Sequence, residues 1–282
     1  MMTAVRSGEF AVSRSLLVLL LLAGIVACAT SPLGRHQLIL VSDDKMSTMG
    51  VASFDELKKN TPESKDAKAK AYVNCVAQNV TSVMPGKRTW EVRLFDDKQV
   101  NAFALPGGKI GVYTGLLKVA TTQDQLAAVL GHEVAHVIAG HSAERVSEGM
   151  AAQLGMTVVE ATTGVSSQML GVATNVFFIL PNSRTHESEA DLLGLDYMSK
   201  AGFDPRQSIV LWQNMQKSGG DKPPELLSTH PSDVTRISQL EARLPIALPY
   251  YEAAQKQGRK PDCHAVVPEE SKAPEPPKKS GR

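Results

Sequence analysis

Residues 130–141 read LGHEVAHVIAGH, and the order His132, Glu133, His136 is one that chemistry can use. On a helix, positions four apart lie on one face, so the two imidazoles stand one turn from each other. Two such nitrogens supply half of a zinc site. Catalytic zinc takes three protein ligands and keeps a position for water. Glu133 projects beside the ion, where it can take a proton from that water. The residues therefore read as a hydrolytic centre holding one Zn2+ per chain.

The third ligand is not within the motif. Ala139 and Ser142 stand where the metzincin pattern requires Gly and His. His141 is one residue out of that register. Projected on a continuing helix it lies about 140° from His136, which gives it a structural role. The stretch SRTHESEAD offers Glu187, Glu189 and Asp191. Glu187 and Asp191 share a face at four-residue spacing, and Glu189 points elsewhere. One of that pair can bind zinc while the other accepts a hydrogen bond from a ligand histidine.

These side chains need elements to hold them. Thr122 and Gln125 form a capping-box pattern, and Leu126, Val129, Leu130, Val134, Val137 and Ile138 make one apolar stripe behind the motif. Asn182 or Ser183 starts a second helix that Gly202 and Pro205 stop. WEVRLF (90–95) alternates as a strand, and residues 100–117 read as a hairpin about Pro106-Gly107-Gly108. Upstream, Thr61 and Pro62 suit the start of a helix carrying Val73, Val76, Ala77, Val80 and Val83 inward. Asp204 and Pro205 open a helix through Trp212 and Met215. Ser232 caps a last one with Val234, Ile237, Leu240 and Leu244 inward. The expected fold is α+β, mostly helical, with a small three-stranded sheet ahead of the motif helix.

Arg6 and Arg14 precede the apolar run Leu16–Cys28, which is too short to cross a bilayer. Its end, Ile25-Val26-Ala27-Cys28, resembles the lipobox of bacterial lipoproteins. The resemblance implies a signal peptide over 1–27 and a lipidated Cys28. Ala29 stands where an Asp would resemble the inner-membrane retention signal, so the implied anchor is in an outer membrane, facing the periplasm. Residues 28–61 read as a tether with a short helix near SFDELKK, 62–264 as the catalytic domain, and 265–282 as a Pro-, Lys- and Glu-rich disordered tail. Cys75 and Cys263 remain as an even pair in an exported chain, which predicts a disulfide. A net charge of +1 and 5% aromatic residues argue against a nucleic-acid partner. The apolar, glycine-broken segment 147–180 joins the two site helices and reads as a lid or as a helical hairpin in the core.

NAFALPGG, HEVAH, SRTHESEADLLG and STHPSDVTRI occur in an order that resembles the bacterial lipoprotein branch of the CAAX prenyl endopeptidase and HtpX group of zinc peptidases. The similarity runs from about Tyr72 to Leu244. It implies a gluzincin fold with zinc on His132, His136 and Glu187, Glu133 as base and Asp191 as orienter. It implies that Asn101, Ala102, Phe103 and Ala104 form the strand beside the cleft. It assigns His230 to oxyanion stabilisation or to the open zinc position, and marks Arg236 in the same element. The implied function is an endopeptidase acting on misfolded or misassembled envelope proteins. The alternative is a non-proteolytic chaperone for unfolded outer-membrane proteins.

Overall fold

A computed structural model describes residues 28–157, 177, 182–218, 225–230 and 235–264. The apolar leader, the C-terminal tail, Ser232 and Val234 lie outside these residues, as does nearly all of the expected lid beyond Thr157.

Two features hold the site. The first is a three-stranded sheet of β3 (Glu91–Phe95), β4 (Ala102–Leu105) and β5 (Lys109–Tyr113) in the order β3-β5-β4. β4 and β5 are the expected hairpin, paired antiparallel with Leu105 opposite Lys109. Gly107 and Gly108 both take positive φ at its turn, which side chains with a Cβ resist. β3 lies parallel to β5 on the far side, so β4 is an edge strand among the described residues. Ala102 and Ala104 face the main core, while Phe103 and Leu105 face the opposite side with Phe54, Phe95 and Tyr113. The Phe103 ring lies over Gly111, where any Cβ would collide with it.

The second is a helix pair. The helices to this point are α1 (Asp43–Asn60), α2 (Ala67–Thr81), α3 (Gln123–Ile138), α4 (His141–Thr157) and α5 (Arg184–Lys200). α3 and α5 cross with their backbones in contact. A Cβ on Gly131 would sit 2.8 Å from the Gly194 carbonyl oxygen, and one on Gly194 would sit 2.7 Å from the His132 nitrogen. This approach sets His132 against the helix carrying Glu187 and Asp191. Three further helices follow among the described residues: α6 (Arg206–Ser218), α7 (Glu225–Thr229) and α8 (Arg236–Lys256).

The secondary-structure elements depart from the sequence reading at residues 28–60, at the start of α2 and along α8. Residues 28–60 form a hairpin of β1 (Cys28–Thr30) and β2 (His36–Leu38), then the 18-residue helix α1, in place of a tether with a short helix. Phe54 explains this, for it is fully buried in the aromatic cluster behind the sheet. Second, α2 begins at Ala67 with Asp66 as its cap, not at Thr61. Residues 62–64 instead run beside β3: Ser64 N–H donates to Leu94 O and Asp96 N–H to Pro62 O. Strand pairing there outweighs the local capping signal. Third, α8 continues through Pro245 and Pro249 to Lys256. Both prolines are exposed, so water can satisfy the carbonyls they leave unbonded, while Ala247 and Ala254 bury the helix's inner side.

Beyond α8 the chain turns at Gly258 and returns to α2 and α3. Gln123 grips this return, accepting from Cys263 N–H and donating to Pro261 O. Cys263 is bonded to Cys75 across 188 residues, with Cα atoms 5.7 Å apart. Closing so long a loop contributes on the order of 5 kcal/mol in the chain-entropy limit, and less in practice. Reducing agent should therefore lower the thermal midpoint of the wild type and leave a Cys75→Ser/Cys263→Ser variant unmoved. Equal midpoints for oxidised and reduced wild type would show that the bridge carries no stability.

Candidate metal centre

α3 starts where Thr122 Oγ1 accepts from Gln125 N–H, as the capping pattern predicts. The return bond of that box shifts by one residue, with Gln125 Oε1 accepting from Thr121 N–H. α5 starts where Ser183 Oγ accepts from His186 N–H, which sets Glu187 in its first turn. α7 is tied to the segment just before β4 by Leu226 N–H donating to Val100 O, and His230 follows directly after it.

His132, His136, Glu187 and His230 are all buried, and one ligand atom from each lies within 4.8 Å of the others. His132 Nε2 is 3.1 Å from His136 Nε2 and 3.2 Å from His230 Nδ1. Glu187 oxygens lie 3.3 Å from His132 Nε2, 3.4 Å from His136 Nε2 and 3.0 Å from His230 Nδ1. Tetrahedral zinc with bonds of ~2.05 Å places its ligand atoms roughly 3.3 Å apart. The donor set and its spacing thus fit zinc, with three nitrogens and one carboxylate oxygen. His230 Nδ1 is the fourth donor atom of this set.

Glu133 sits beside this cluster, almost wholly buried, and its Oε1 has no hydrogen-bond partner among the described residues. That oxygen is 3.4 Å from His230 Nε2. Burial pushes the Glu133 carboxyl above its usual range. Burial also works against the Glu187 anion, but His230, His132 and His136 hold that carboxyl well below the usual range. An orphaned carboxylate oxygen next to a metal-sized cluster suits a group that awaits a proton.

Residues 63–244 match the description of peptidase family M48. The chain belongs to that family. Mitochondrial metalloendopeptidase OMA1 of Schizosaccharomyces pombe is 39% identical over 179 residues, covering 62% of this chain and 53% of that protein. The Homo sapiens metalloendopeptidase OMA1 is 34% identical over 239 residues, covering 76% and 45%. The beta-barrel assembly-enhancing protease of Yersinia pestis is 26% identical over 216 residues, covering 72% and 44%. This M48 chain thus spans about half the length of these relatives. The family resemblance read from the motifs holds at the level of peptidase family M48. Its narrower assignment to a bacterial lipoprotein branch does not follow, since the OMA1 proteins match at higher identity than the bacterial protein named here.

The remaining residues of the M48 site fall into two groups. Asp191 Oδ1 accepts from His132 Nδ1–H at 2.8 Å, which leaves His132 Nε2 with its lone pair toward the cluster. Buried Arg236 donates through Nε to Asp191 Oδ2 and through Nη2 to Glu187 Oε2, both at 2.6 Å. Its guanidinium lies 4.0 Å from the centre of the Trp212 ring. Asn101, Ala102, Phe103 and Ala104 line the cavity together with Glu133, His136 and His230. Glu189 is outside the cluster, as its angular position predicts.

His141 corrects the helical projection. The helix breaks at Ala139 and at Gly140, whose φ is +70°, so His141 begins α4 instead of extending α3. Its Nδ1 then comes within 2.8 Å of His136 Nδ1. Sequence reasoning missed Trp212 and Asn182 as site residues. Asn182 Nδ2 lies 3.4 Å from His230 Nδ1, and its position before a capped helix was its only signal.

Arg236 neutralises two buried carboxylates, so removing it strands both. Arg236→Ala should cost about 3–5 kcal/mol of stability in the metal-free protein. Urea unfolding of the stripped variant measures this. Wild-type stability would mean the carboxylates find other neutralising partners.

Proposed function

We propose that this protein is a zinc-dependent endopeptidase that takes unfolded or misassembled proteins of the cell envelope as extended strands along β4. The observation that carries the chemistry is the buried Glu133 carboxylate, whose Oε1 has no hydrogen-bond partner among the described residues, beside four zinc-spaced donors. Bound zinc would polarise a peptide carbonyl and acidify a water. His132, His136 and Glu187 would hold it. Glu133 takes the water's proton and returns it to the leaving amine. Asp191 keeps His132 in the tautomer that ligates, and Arg236 holds the Glu187 and Asp191 carboxylates in place by donating to both. His230 would stabilise the oxyanion when substrate is bound and would help hold the ion when it is not.

Substrate choice rests on the backbone of β4. Among the described residues the strand lies at the sheet edge and lines the cavity, and the Phe103 ring is packed among Phe54, Phe95 and Tyr113. Main-chain pairing there accepts many sequences, provided they are unfolded. The leader ending at Cys28 and the similarity to a beta-barrel assembly-enhancing protease support a lipid-anchored place at the outer membrane, facing the periplasm. The similarity to mitochondrial proteases supports the proteolytic role without that location. Cleavage of an unstructured peptide tests the strand reading. N-methylation of alternate amides, on the edge that pairs with β4, should abolish cleavage at unchanged side-chain sequence. Equal cleavage of both peptides would rule out strand addition.

A further inference from the structure

The second histidine ligand has an unusual partner. His132 meets a carboxylate directly, but His136 Nδ1 meets the ring nitrogen of His141 at 2.8 Å. The other nitrogen of His141, Nε2, lies 3.2 Å from Glu189 Oε2. Arg35 Nε donates to that same oxygen at 2.9 Å and keeps the carboxylate charged. A carboxylate only accepts, so His141 carries its proton on Nε2. Its Nδ1 is then an acceptor, and His136 must donate from Nδ1. That leaves the lone pair of His136 Nε2 facing the other three donors.

Arg35 comes from the turn between β1 and β2, a segment outside the family match at 63–244. The same hairpin grips three helices. Arg35 Nη1 and Nη2 each donate to Glu144 of α4 at 2.6 Å. Gln37 Nε2 donates to Glu144 and to the carbonyl of Ala139, which closes the C-terminal end of α3. Glu144 also accepts from His186 Nε2 of α5 at 3.1 Å. Every one of these side chains except Arg35 is buried, and Arg35 keeps only 25% exposure.

We propose that His141, Glu189 and Arg35 are positioning residues for the metal, a relay that fixes the tautomer of His136, and that the N-terminal hairpin is therefore part of the catalytic centre. The proposal rests on the zinc reading of the site, but its test does not depend on peptide cleavage. None of the three touches the ion. They act through His136, as the carboxylate partners of metal-bound histidines do.

The test compares His141→Phe, which fills the space without hydrogen bonds, with His141→Gln, whose amide can accept from His136 and donate to Glu189. Zinc affinity is read by competition with a chromophoric chelator, and ligand geometry by the visible spectrum of the cobalt-substituted protein. The relay predicts affinity ~10- to 100-fold weaker and an altered cobalt spectrum for His141→Phe. It predicts substantial recovery of both for His141→Gln, and a loss in the same direction for Arg35→Ala. Wild-type affinity and spectrum in His141→Phe would overturn the proposal, as would equal losses in the Phe and Gln variants. Should neither His141 variant fold, nitrogen-15 histidine spectra of the zinc-loaded wild type decide the matter. They should show His141 protonated at Nε2, and protonation at Nδ1 would overturn the relay.

Discussion

Replacing Glu133 by Gln should leave zinc bound and reduce peptide cleavage by at least ~10²-fold. The substitution keeps size and shape but removes the base. It also converts a buried carboxylate with one partnerless oxygen into a neutral amide. Because burial disfavours the charged form of Glu133, the variant should be at least as stable as the wild type. Loss of activity with retained stability and metal separates a chemical role from a structural one. Comparable cleavage by a zinc-loaded Glu133→Gln protein would remove this residue from the mechanism.

Glu187→Ala should instead act on the metal. Glu187 is the anionic member of the donor set, and Arg236 Nη2 stands 2.6 Å behind it. Without the carboxylate, Arg236 keeps Asp191 but its Nη2 side loses its partner and faces the site, which disfavours a divalent cation. Zinc affinity should fall by more than the ~10- to 100-fold typical of residues that merely support a ligand. Residual binding should then depend on His230, so Glu187→Ala/His230→Ala should bind less than either single variant. Chelator competition gives both values. Wild-type affinity in Glu187→Ala would move the third ligand to another residue.

Much of the centre was legible because its parts obey local periodicity. His132 and His136 stand at four-residue spacing, as do Glu187 and Asp191, and both pairs lie on capped helices with clear starts at Thr122 and Ser183. The hairpin of β4 and β5 was legible from its Pro-Gly-Gly turn. What was hidden depends on contacts between distant segments. Arg35 reaches Glu144 and Glu189 across 109 and 154 residues, and nothing in the sequence near Arg35 signals that partner. The Gly131–Gly194 crossing reads in sequence as two weak helix positions, yet it sets how closely α3 and α5 approach. Gly140 breaks the helix between His136 and His141, so a projection assuming a continuous helix put His141 on the wrong side. The capping signal at Thr61 was real in chemistry but lost to pairing with β3.

One zinc, held by His132, His136 and Glu187, is expected to support peptide cleavage with Glu133 as base. The most direct measurement is a zinc titration of the stripped wild-type and Glu133→Gln proteins, following bound metal and cleavage of an unstructured peptide together. Both proteins should bind one equivalent with the same curve. Wild-type cleavage should rise with that curve and level at one equivalent, while the variant stays near zero throughout. Cleavage by the stripped wild type, or equal cleavage by both proteins at one equivalent, would contradict the account.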